Sequence, residues 1–212
     1  VLFLFLQFML SKPPLYAQVK MTEMAEKTSR IAHDYYRINP FNKDFSEFLN
    51  RLLFDPQLRD SQLSRKSDTS LFFMQGIYPA HRPFFFSAIQ TRVILAERPD
   101  TEDSTKTPHS LFHYQLIGYA QPGKTGTSDV KSEYEKLFRK YRKQFDMSTP
   151  RPIHKGEEQT GEVRDFYFDN IPFAPFTLAW STDEKHGNIL ALTIRFEVYN
   201  NRAYLPIAAD GF

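Results

Sequence analysis

Asn188-Ile189-Leu190-Ala191-Leu192-Thr193-Ile194-Arg195-Phe196-Glu197-Val198-Tyr199 is the stretch that decides the fold. Leu190, Leu192, Ile194, Phe196 and Val198 alternate with smaller or polar residues, the pattern of a β-strand with one buried face. Asn200-Asn201 follows and suits a tight hairpin, since both residues tolerate positive φ. The strand therefore belongs to an antiparallel sheet, and the rest of the chain is read outward from it.

Upstream, period-two patterns predict strands over Glu162–Asp169, Ala174–Thr182 and, after the hairpin, Arg202–Leu205. Three more are expected over Ser70–Tyr78, Phe84–Glu97 and Ser110–Ala120. In the second of these, Phe85, Ile89, Val93 and Leu95 share a face, with Gln90 and Arg92 on the other; in the third, Phe112, Tyr114, Leu116, Gly118 and Ala120 do. Helical spacing appears over Thr22–Tyr36, over a segment capped by Asn42 or Asp44 and stopped by Asp55-Pro56, and over Ser128–Phe145. The last carries Val130, Tyr134, Leu137, Phe138, Tyr141 and Phe145 as its stripe and a basic C-terminal half that reads as a solvated face. Residues 57–68 read as a loop, residues 98–109 as a mobile loop, and residues 146–161 as a connector. Helices before meanders, without β-α alternation, give α+β: helices packed on a curved antiparallel sheet. The order helix-then-meander occurs twice, as half-units 18–122 and 127–206, and Gly76-Ile77-Tyr78-Pro79-Ala80 resembles Asn170-Ile171-Pro172-Phe173-Ala174 at equivalent places.

Val1–Leu10 is an uncharged apolar run, too short to span a bilayer but suited to a signal-peptide core. Lys12-Pro13-Pro14 and Leu15-Tyr16-Ala17 then predict a signal peptide over 1–17, cleaved after Ala17, and a single domain over 18–212. The run opens on Val1 without a basic segment, so a sequence cut at its start is expected. The expectation is a periplasmic or extracellular protein with no membrane anchor after cleavage. Of 212 residues none is Cys, which removes disulfides, thiolate metal sites and cysteine nucleophiles. A net charge of +2 gives no reason to expect nucleic acid.

Gly118-Tyr119-Ala120-Gln121-Pro122-Gly123-Lys124-Thr125 spells a phosphate loop. Nucleotide binding by Gly118, Gly123, Lys124 and Thr125 is nonetheless a remote reading. The helix is expected to start only at Ser128, and the surrounding strands read as antiparallel. His109 and His113 share a strand face about 13 Å apart, too far for one metal, so neither metal nor cofactor is expected. Glu133/Glu135 read as exposed charge on a helix. Candidate ligand contacts are Tyr78, His81 and Arg82 around a turn, Phe84 and Phe86 in an aromatic run, and Trp180, for which core packing is the stronger reading because its strand face is apolar. No catalytic set converges.

Helices before a curved meander resemble cystatin-like and NTF2-like domains. Leu15-Tyr16-Ala17-Gln18, with Phe45-x-x-Phe48-Leu49 before Asp55-Pro56, resembles small exported α+β proteins of unknown function from Gram-negative bacteria. The consecutive strands depart from the NTF2-like order and fit two fused cystatin-like units better. The resemblance implies a pocket on the concave sheet face. Together these features predict a non-enzymatic exported binding or interaction module for a protein, peptide or small-molecule ligand. The alternative is a small-molecule enzyme, a hydrolase or isomerase, with its pocket on that face.

Overall fold

The computed structural model describes residues 15–36, 38–41, 44–65, 72–79, 84–98, 110–169, 171, 173–183 and 187–205. In chain order they form α1 (Leu15–Tyr35), α2 (Phe45–Leu53), β1 (Arg59–Arg65), β2 (Phe72–Tyr78), β3 (Ala88–Arg98) and β4 (Ser110–Ala120). Then come α3 (Lys124–Tyr141), β5 (Met147–Lys155), β6 (Glu158–Tyr167), β7 (Phe176–Asp183), β8 (Gly187–Tyr199) and β9 (Arg202–Tyr204). The strands make one antiparallel sheet in the order β1-β2-β3-β4-β8-β7-β6-β5, with β9 paired to β8. The fold is α+β, and its strand order runs inward from both edges to meet at β4 and β8.

The helices pack on one face of this sheet. Phe45 and Phe48 of α2 reach Phe112, Tyr114 and Phe196, while Tyr141 of α3 and Phe145 just beyond it meet Phe176. Each ring contact adds about 0.5–1.5 kcal/mol beyond area burial, and such contacts absorb much of the phenylalanine. Tyr36, at the end of α1, places its hydroxyl 3.0 and 2.9 Å from the carbonyls of Tyr114 and Leu192. A buried phenol needs such an acceptor, and this one ties α1 to the two central strands.

Several elements differ from the sequence expectation. α1 begins at Leu15 rather than Thr22 and runs unbroken through Ala17-Gln18. Arg59–Arg65, expected as loop, is an edge strand: its described side chains are exposed, so it shows no apolar alternation and is held by its ladder to β2. Met147–Lys155, expected as connector, is the other edge; Pro150 and Pro152 fit where the amide points away from β6, and they blunt that edge. β3 starts at Ala88, not Phe84, and a bulge between Ala88 and Gln90 turns Ile89 out to solvent.

Phe84–Ser87 is a turn because Glu133 of α3 takes it. The Glu133 carboxylate accepts from the Phe86 amide at 2.9 Å and from the Ser87 amide and hydroxyl at 2.8 and 2.6 Å. Glu133 is thus buried rather than exposed. α2 is capped from a distance: Asp44 makes no side-chain cap bond, and Asn201 in the β8–β9 turn accepts from Phe45 N through its carbonyl and from Ser46 N through Oδ1. Asn200 and Asn201 have φ of 47° and 60°, as a tight hairpin requires.

Candidate functional site

The sheet's second face is free of helices among the described residues, and the cross-strand register can be followed along it. One row runs Ala96–His113–Arg195 across β3, β4 and β8. The next runs Ile94–Gln115–Thr193–Thr177–Asp165 from β3 to β6, and a third runs Ile117–Ala191–Ala179–Val163. The centre of this face is built from Ala and Thr. Small side chains between longer ones leave a depression, and here it is a cleft of about 210 Å3 lined by Ile94, Ala96, Arg98, His113, Gln115, Val163, Thr177, Ala179, Thr193 and Arg195. Thr177, Ala191 and Thr193 are buried even though no described helix lies over them. The expected buried face of β8 is Leu190, Leu192, Ile194 and Phe196; on its other face only Ala191 and Thr193 are buried, with Ile189, Arg195 and Glu197 half-buried.

The polar groups are ordered by mutual contacts. Asp165 Oδ1 accepts from Thr177 Oγ1 at 2.7 Å and lies 3.6 Å from the Arg195 guanidinium. Asp165 Oδ2 accepts from Arg151 Nε at 2.8 Å. Arg195 also donates to Thr177 Oγ1 and to the Ala174 carbonyl, at 2.7 and 2.8 Å. Gln115 donates to Thr193 Oγ1 at 3.1 Å. Burial draws the Arg195 guanidinium below its ordinary range, opposed by Asp165, yet an arginine keeps its charge. Burial, then the charges of Arg195 and Arg98, push the His113 imidazole from 6.5 down to about 4. At neutral pH His113 is therefore an uncharged donor and acceptor. Among the described residues the cleft lining carries two guanidiniums and no carboxylate.

Those residues singled out from sequence that the structure describes fall elsewhere. Tyr78 is buried, donating to Asp55 Oδ2 at 2.9 Å, and Phe84 packs on its ring. Phe86 is fully exposed at the tip of the turn held by Glu133. Trp180 is core, edge-on to Tyr134, with the Lys131 ammonium 4.5 Å over its ring. Four strand spacings, about 19 Å, separate β2 from β7, so Tyr78 and Trp180 do not share a site. His81 and Arg82 lie outside the described residues, as does His109.

The Gly118–Thr125 pattern does not form a phosphate cradle. Gly118 is inside β4, paired with Thr91 and Leu190, so only Gln121-Pro122-Gly123 remains as loop. Lys124 does open the helix, four residues before the expected Ser128, and the helix ends at Tyr141. The turn has a structural explanation: Asn188 donates to the carbonyls of Gln121 and Gly123 at 2.7 and 3.1 Å and accepts from Thr127 at 2.9 Å. A Cβ on Gly126 would come within 1.8 Å of the Gln121 carbonyl, so glycine is required there.

A wider depression of about 620 Å3 lies beside the end of α2, lined by Ile38, Asn50, Arg51, Phe54, Asp55 and Pro56. It is open to solvent, and its carboxylate is already engaged by Tyr78 and the Gln57 amide. The cleft is the better candidate, because its lining comes from five strands and polar groups from four of them converge there. Sequence reasoning missed it, although the polar residues alternating with Phe112–Leu116 and Leu190–Phe196 were the available signal. Among the described residues no three His, Asp or Glu side chains converge as metal ligands, and no helix is long and apolar enough to cross a membrane. Comparison with protein-family models, curated proteins and solved structures finds no match for this chain, so its reading rests on the geometry above.

Proposed function

We propose that this chain is an exported binding protein whose small-molecule ligand occupies the cleft on the helix-free face of the sheet. One observation carries the reading: His113, Gln115, Thr177, Thr193 and Arg195 converge on a walled depression whose floor is Ala and Thr. Binding is preferred to catalysis because His113 has guanidiniums, not a carboxylate, as its charged neighbours, while Asp165 is committed to Arg151, Arg195 and Thr177. Export rests on the Val1–Leu10 run and Ala17; cleavage there would remove only the first three residues of α1. The mirrored strand order supports two fused cystatin-like half-units.

A fragment screen read by amide chemical shifts tests the cleft. Hits should perturb Ile94, Gln115, Thr177 and Thr193, and Ala179→Phe, which fills the depression, should abolish them. Hits clustering beside α2, or surviving Ala179→Phe, would overturn the reading. Mass spectrometry of the secreted chain tests export, with Gln18 expected as the first residue and an intact Val1 as the contrary result.

A further inference from the structure

The cleft has a chemical polarity that its position alone does not require. At one end stand Arg98 and Arg195, with uncharged His113 between their strands; at the other stand Ile94, Val163 and Ala179. Arg195 shares Asp165 with Arg151, whereas Arg98 has no carboxylate partner among the described residues. Among the described residues the cationic end therefore holds one guanidinium without a carboxylate partner. An uncompensated guanidinium beside a half-buried cleft is poised for an anion, whose oxygens accept its fixed fork of N–H donors. The volume of about 210 Å3 equals about seven water molecules, which suits a ligand of about ten non-hydrogen atoms rather than a bare ion.

We infer that the ligand is a small organic anion with an apolar body: Arg98 and Arg195 hold its charged group, and Ile94, Val163 and Ala179 pack against the remainder. This inference rests on the cleft being the binding site. His113 faces Arg98 on β3 and Arg195 on β8; Glu197, one row from Arg195 on the same side of β8, is engaged by the Tyr204 hydroxyl, and Asp165 on β6 is held beside Arg195. An anion seated between the two guanidiniums offsets the charge that opposes protonation of His113. Binding and His113 protonation are thus coupled, and by linkage each strengthens the other.

The probes are benzenesulfonate, ionised throughout the useful pH range, and benzenesulfonamide, of nearly the same shape without the charge. Both are titrated into the full chain and followed by the amide shifts of Gln115, Thr177 and Thr193 and by the His113 imidazole resonance. The sulfonate should bind at least tenfold more tightly and raise the His113 midpoint from about 4. Arg98→Gln, at an exposed position, should cost the sulfonate about tenfold in affinity and leave the sulfonamide unchanged. Equal binding of both probes in the cleft would overturn the anion inference while leaving the cleft reading intact. Failure of both to perturb the cleft would overturn both readings. Inorganic phosphate binding as tightly as the sulfonate would overturn the apolar body, and sulfonate affinity indifferent to Arg98→Gln would overturn the assignment of the charged end.

Discussion

Replacing His113 by Gln should flatten the acid side of the stability profile. In the unfolded chain the imidazole titrates near 6.5; in the fold, burial and the Arg195 and Arg98 charges hold it at about 4. A base whose folded value is lowered contributes its full stability above the unfolded value. That stability is lost as the pH falls from 6.5 towards 4, because only the unfolded state gains the proton there. With these two values the loss between pH 7.5 and pH 5 is about 2 kcal/mol as an upper bound. His113 is only partly buried, and solvent screening reduces this to about 1 kcal/mol. Glutamine keeps an amide of similar reach and does not titrate. Urea unfolding of both chains at pH 7.5 and pH 5 is the assay, with carboxylate contributions cancelling in the comparison. The native chain should lose about 1 kcal/mol more than His113→Gln over that interval. Parallel losses, or a larger loss in the variant, would refute the assignment of a desolvated His113 flanked by two guanidiniums.

Other substitutions probe the frame. Thr91 is buried and its hydroxyl finds no partner among the described residues, so Thr91→Val should raise stability by about 1 kcal/mol in denaturant melts, against the usual direction for a core change. Glu133→Ala strips two amides and a hydroxyl of their acceptor; a loss of about 2–4 kcal/mol and faster exchange of the Phe86 and Ser87 amides should follow. Asn201→Gly preserves the positive φ but removes the Oδ1 that caps Ser46, so it should cost about 1 kcal/mol and speed exchange at the start of α2. Gly126→Ala drives a methyl into the Gln121 carbonyl, and its Tm should fall by several degrees more than that of Thr125→Ala, an exposed neighbour.

The fold class was legible because it is a matter of local period. Leu190–Val198 and Phe112–Ala120 alternate, Val130–Tyr141 recurs at helical spacing, and Asn200-Asn201 can take the left-handed φ of a hairpin; each depends on neighbours within a few positions. The edge strands were not legible. Arg59–Arg65 and Met147–Lys155 are shaped by partner backbones rather than by an apolar face of their own, so their composition reads as loop. Glu133 looked like solvated charge because its partners, Phe86 and Ser87, stand 47 and 46 residues away.

By its own alternation, the stretch Asn188–Tyr199 determined that the chain folds as an antiparallel sheet with a core of Leu, Ile and Phe on one side. It could not show that Thr193 and Arg195, on the other side, help form a site. That depends on the register of five strands, which sets His113 opposite Arg195, Thr177 opposite Thr193 and Asp165 opposite Thr177. Register is fixed by which backbones pair and by the packing of the buried face, and a slip of one residue would turn every one of these side chains away. The tertiary structure alone therefore decided that scattered Ala, Thr, His and Arg residues become the floor and charged rim of one cleft.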